Sequence, residues 1–195
     1  MVSLKTLKCT NCGTPLTSKE RDNIFVCSKC ENVMEFLNGD VHKVDSTIAA
    51  FKKDESSDKV YMPFWVINTD IKVNREKIVG GRIMRFIKSE KKMAGNQNLF
   101  VCAADIAPDI VKEWNVDFTL EPPVIEEQKS FNGVARIPAA IDNEAAKQHS
   151  EFMFLRHEAD ISGTLQEIDY DFNINSYRII YMPFYRNKNK YTPGI

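Results

Sequence analysis

The sequence predicts an α+β chain. A small four-cysteine β module precedes a larger, mainly antiparallel β domain with one principal helix at about residues 142–158. Three observations lead there. Four of the five cysteines stand in two Cys-x-x-Cys pairs, Cys9/Cys12 and Cys27/Cys30. After residue 60 most of the chain consists of aromatic and β-branched runs of strand length, beginning with Val60–Ile67. One stretch instead repeats at three- and four-residue spacing through Ala145, His149, Phe152, Met153 and Arg156, behind an Asp142 suited to the N-cap.

The 195 residues, 43% of them hydrophobic, are enough for one compact domain or a small module joined to a medium one, and they exclude a wholly disordered chain. No window approaches the ~18 consecutive apolar residues of a membrane span, and lysines interrupt the first residues where a secretory signal needs an apolar core. The expectation is a soluble cytoplasmic protein with reduced cysteines. The net charge of -1 hides a segregated pattern. Residues 72–92 carry eight basic side chains against two acidic ones, residues 105–171 carry five against fifteen, and residues 172–195 carry four against none.

Taken in order, residues 1–45 form the cysteine module. Val33–Leu37, Asn38-Gly39 and Asp40–Val44 read as strand, tight turn and strand, since Asn-Gly supplies the positive φ angles of a two-residue hairpin. Residues 46–59, which include the charged run Lys52–Lys59, read as a linker, and 60–195 as the α+β domain. Within that domain Val60–Ile67, Ile71–Val79, Arg82–Lys88 and Leu99–Ala103 read as strands, with Pro63 marking an edge, an end or a bulge. A short helix near Asp105 has Pro108 in its first turn and Ile110, Val111 and Trp114 on one face. Ile168–Ile174 alternates as a half-buried strand, Asn173–Ser176 reads as a turn, and Tyr177–Tyr185 as the last long strand. Tyr61-Met-Pro-Phe-Trp65 recurs as Tyr181-Met-Pro-Phe-Tyr185. Two similar strands of one core, or two related β units (60–104 and 164–195) about a pseudo-twofold axis, would each produce this echo.

The cysteine spacing carries the clearest chemistry. In each Cys-x-x-Cys a tight turn aims two sulfurs at one ion, and two such knuckles joined by a hairpin make a tetrahedral four-sulfur site suited to Zn²⁺. Redox cysteines and an iron site are the competing readings. With Gly13, Leu16 and the strand after Cys30, the pattern resembles the zinc-ribbon superfamily over about residues 7–44, with Thr10 in place of the proline usual after the first cysteine. The resemblance implies that Cys9, Cys12, Cys27 and Cys30 ligate one structural zinc. The rest of the chain is similar to bacterial and archaeal proteins in which a ribbon precedes a β-rich domain with Tyr-x-Pro-Phe-Trp-like strands; that similarity brings no activity with it.

Outside the cysteines no catalytic constellation stands out. Cys102 sits in an apolar strand and reads as a buried thiol; a nucleophile there would need His42, His149 or His157 close by. His149 and His157 share the principal helix with Glu158, and histidines so placed are mostly solvated or capping groups. Gly80-Gly81 lacks the spacing of a phosphate loop. Lys72, Arg75, Arg82, Arg85 and Lys88, joined by Arg178 and Arg186 where the two Pro-Phe strands are neighbours, form a candidate face for nucleic acid or an acidic partner. Trp65, Phe86, Tyr185 and Tyr191 are the aromatics available for stacking there. Three functional readings follow. The first is a non-enzymatic zinc-binding adaptor that docks to a protein partner. The second is a nucleic-acid-binding accessory protein, and the third an enzyme with a site between the two β units. Self-association through the oppositely charged segments fits any of them.

Overall fold

The computed structural model describes residues 6–18, 22–52, 58–79, 93–162, 164–188 and 190–195. Three short strands, β1 (Ile24–Val26), β2 (Val33–Leu37) and β3 (Asp40–Lys43), make a separate antiparallel sheet in the order β1-β2-β3. The hairpin between β2 and β3 turns through Asn38 and Gly39, both at positive φ (53° and 89°), as Asn-Gly predicts.

The larger sheet is built on two very long strands, β5 (Asp58–Val79) and β9 (Thr164–Asn187), paired antiparallel from Asp58↔Arg186 to Val79↔Thr164. β6 (Gly95–Cys102) flanks β5. β4 (Ser46–Ala49) runs parallel to β9 and is followed in the sheet by β7 (Glu127–Gln128). The short strand β8 (Ala135–Arg136) pairs with β5, and β10 (Lys190–Pro193) folds back on β9. Two helices complete the fold of the described residues, α1 (Pro108–Leu120) and α2 (Asn143–Ser162).

Several expectations are corrected. Residues 46–49, read as the start of a linker, are a strand inside the large sheet. Val60–Ile67 and Ile71–Val79 are one strand. The turn expected at Asn173–Ser176 is a β-bulge: Asn68 pairs with Ser176 and Thr69 with Ile174, leaving Asn175 as the extra residue. Small polar residues suit a bulge as well as a turn, because both need a backbone freed from the ladder. Arg82–Lys88 lies outside the described residues.

The echoed strands are direct neighbours. Tyr61 pairs with Pro183, Met62 with Met182 and Pro63 with Tyr181, so a local twofold axis passes between the two methionines. The symmetry ends at the flanks, since β6 is antiparallel to β5 whereas β4 is parallel to β9. Pro63 fits an inner strand because its missing N–H points to the side where the β6 ladder has just ended. Its carbonyl on that side accepts the Ala103 N–H at 2.9 Å.

Alternation sends Tyr61, Trp65, Ile179 and Tyr181 to one face and Met62, Phe64, Ile180, Met182 and Phe184 to the other. The second face packs with Phe118, Val111 and Trp114 of α1. The first face packs with Ile24, Val33 and Val44 of the cysteine module, with Phe131 and with Ala146 of α2. The module and the β domain therefore share one core.

Asp142 caps α2 as expected, its Oδ1 accepting the Ala145 N–H at 2.8 Å. The buried face of that helix is displaced from the predicted one. Ala146, Ser150, Phe154 and Glu158 are buried, and the Ala145–Phe152–Arg156 stripe is largely exposed. Two polar residues on the inner stripe conceal its periodicity, and an exposed phenylalanine on the outer one imitates a core face.

Candidate metal centre

The two Cys-x-x-Cys turns are built alike. Cys9 N–H donates to Thr14 O at 2.8 Å and Gly13 N–H to Cys9 O at 2.9 Å. In the second turn Cys27 N–H donates to Asn32 O at 3.0 Å and Glu31 N–H to Cys27 O at 2.9 Å. The fourth residue after each leading cysteine, Gly13 in one and Glu31 in the other, takes positive φ (73° and 54°). Gly13 meets this demand at no steric cost, whereas Glu31 adopts a conformation that non-glycine residues visit rarely.

These turns bring Cys9, Cys12, Cys27 and Cys30 together. Their four sulfurs lie within 4.8 Å of one another, with Cys9 and Cys30 at 3.6 Å and Cys12 and Cys27 at 3.5 Å. Such distances are far beyond a disulfide bond of about 2.05 Å. They match four sulfurs at about 2.3 Å from a common centre, whose mutual separations are close to ~3.8 Å. The four thiols could hold a metal ion, and their geometry fits the tetrahedral set that the spacing predicts.

The surroundings favour deprotonated sulfur on the open side of the cluster. Hydrogen bonding from the Asn32 backbone, assisted by its Nδ2–H at 3.3 Å, lowers the Cys30 thiol to about 6. The Thr14 hydroxyl, 3.2 Å from the sulfur, and the Thr14 backbone lower Cys12. Burial raises Cys9 to about 11, so that thiol gives up a proton when it ligates. Met34 closes the floor beneath them, fully buried.

The module is fastened to the β domain by buried polar contacts. The Asp22 carboxylate accepts from Arg136 Nη1 at 2.7 Å, from Ala139 N–H at 3.0 Å and from Ile24 N–H at 3.3 Å, with its side chain wholly buried. Glu35 accepts from Asn143 Nδ2 and from the Tyr177 hydroxyl. Glu31, the positive-φ residue of the second turn, accepts the Phe131 N–H at 3.2 Å. None of these anchoring carboxylates is distinguishable in sequence from the solvated acids around it.

The remaining candidates are dispersed. Lys72 and Arg75 stand directly opposite Asp171 and Asp169 in the β5–β9 ladder, and Arg186 pairs with Asp58 at 3.4 Å, so acids neighbour these cations of the expected basic face. Arg178 is half-buried opposite Val66, and Arg82, Arg85 and Lys88 lie outside the described residues. Trp65 and Tyr185, expected as stacking surfaces, are buried, with Tyr177 packed edge-on against Trp65 and Phe51 tilted against Tyr185. Phe86 is likewise outside the described residues, and Tyr191 is half-buried.

Cys102 is buried, and burial pushes its thiol up to about 12, which leaves almost no thiolate near neutral pH. It does lie at the floor of a cavity of about 670 Å³ between α1 and α2, to which His149 and His157 also contribute. No helix among the described residues is long and apolar enough to cross a membrane. No protein-family model, curated protein or solved structure matches the chain.

Proposed function

We propose that this protein is a non-enzymatic zinc-binding adaptor of the zinc-ribbon type, in which Cys9, Cys12, Cys27 and Cys30 hold one structural Zn²⁺ and the folded unit docks to a protein partner. The observation that carries the reading is the convergence of four thiols in two matching turns. A set of four protein sulfurs fills a tetrahedral ion, so when bound it would cross-link the two turns and offer no position to a substrate. The high proton affinity of Cys102 supports the non-enzymatic part, since it leaves that thiol a poor nucleophile near neutral pH. The segregated charge and the single core joining ribbon to β domain support a whole-molecule docking unit. The nucleic-acid alternative retains only part of its basis, because Trp65 and Tyr185 are buried and cannot stack on bases.

Elemental analysis of protein purified without added metal is the test. About one zinc per chain is expected, with loss of the metal in Cys27→Ser. Recovery of iron, or of no metal from the intact chain, overturns the assignment.

A further inference from the structure

The cavity between α1 and α2 has the form of a binding groove. Its floor is apolar, made by Ala104, Ile106, Val111 and Met153, and its volume of about 670 Å³ lies in the range of formed binding sites. On its lip Phe152 leaves 64% of its surface exposed, the largest aromatic exposure among the described residues. One stripe of α2, running from His149 through Phe152 and Arg156 to Asp160, forms one wall, and α1 forms the other with Glu113 and Asp117 one turn apart. Glu113, Asp117 and Asp160 outnumber Arg156, which is the only Lys or Arg among the described lining residues.

We propose that this cleft is a docking groove for a basic amphipathic helix of a protein partner, which rests on the adaptor reading above. Three observations select that occupant. An apolar floor with an exposed phenylalanine at its edge asks for an aliphatic or aromatic anchor. The carboxylate excess, set within the acidic segment 105–171, asks for lysine or arginine on the partner's flanks. An added β-strand is excluded at the floor. The outward N–H groups of Phe100 and Cys102 are already bound by Thr119 Oγ1 at 2.9 Å and Asn115 Oδ1 at 2.8 Å. A helix satisfies its own backbone and needs neither group.

The test uses the full chain and a fluorescently labelled amphipathic peptide of leucine and lysine, about 18 residues long, beside its leucine–glutamate counterpart. Saturable one-to-one binding of the lysine peptide is expected, with little binding of the glutamate peptide. Affinity should fall about tenfold in Phe152→Ser and again in Glu113→Lys/Asp117→Lys, while Val124→Ser, an exposed position outside the cleft, leaves it unchanged. Because these side chains are exposed, unchanged melting temperatures check that the variants fold. No binding, equal binding of both peptides, or an affinity insensitive to the cleft substitutions overturns the groove. Affinity isolation separates the two levels of failure. A partner retrieved equally by the wild type and the cleft variants removes the groove and leaves the adaptor reading standing, whereas no partner for the wild type removes the adaptor reading itself.

Discussion

Asp22 illustrates how much one side chain can carry. Its carboxylate has no exposed surface and gathers a guanidinium and two backbone N–H groups, so it joins the cysteine module to the β8 region of the β domain. Removing one member of a buried pair strands the other charge, which costs about 3–5 kcal/mol, whereas replacing the whole pair with apolar groups is often neutral. Asp22→Ala is therefore expected to lower the unfolding free energy by about 3–5 kcal/mol in urea titrations. Adding Arg136→Met should restore a large part of it. A double variant as unstable as the sum of the two single ones would show that the backbone contacts to Asp22, and not the charge pair, hold the junction.

At the scale of elements, α1 works as a cover for the edge of the sheet. Among the described strands β6 has β5 alone as a neighbour, and Thr119 and Asn115, one turn apart on α1, take up the N–H groups it would otherwise present. Thr119→Val keeps the shape and leaves the Phe100 N–H without its acceptor, for an expected loss of about 1–3 kcal/mol. Faster amide hydrogen exchange at Phe100 would accompany it, and Thr119→Ser should retain both stability and protection. Such contacts mark where the sequence stops being informative. The two cysteine turns and the Asn38-Gly39 hairpin were legible because their chemistry is local: sulfur spacing in one, positive φ in the other. The N-cap of α2 was legible for the same reason. Its buried face was not, since Ser150 and Glu158 stand on the inner stripe and Phe152 on the outer one. β4 was hidden because four residues next to a charged run show no period of their own and become a strand only when β9 lies beside them. Of the cleft only the conditional grouping of Cys102 with His149 or His157 was legible; its apolar floor and acidic walls were not, because residues from 102 to 160 meet there only after the helices have packed.

For the whole molecule the shared core matters most. Ile24, Val33 and Val44 of the cysteine module lie against the same cluster as Tyr61, Trp65 and Tyr181, so the module and the β domain are expected to melt together. With zinc held by the four thiols as proposed, chelation should lower the melting temperature of the entire chain, seen as a shift in the unfolding transition of the fluorescence from Trp65 and Trp114. A tryptophan transition that ignores chelation would mean that the module and the domain unfold independently. The pairing of Met62 with Met182 has a further consequence, for the order in which the chain can assemble. β5 can find β6 soon after it is made, but its other neighbour arrives only after both helices have been synthesised. Until then one long margin of an apolar strand lacks its partner, and β4 waits for the same late segment. Such distant pairing slows folding and prolongs exposure to aggregation. During synthesis on the ribosome, the apolar Tyr-Met-Pro-Phe segment of β5 thus waits with one margin open, and β9 is the strand whose arrival closes it.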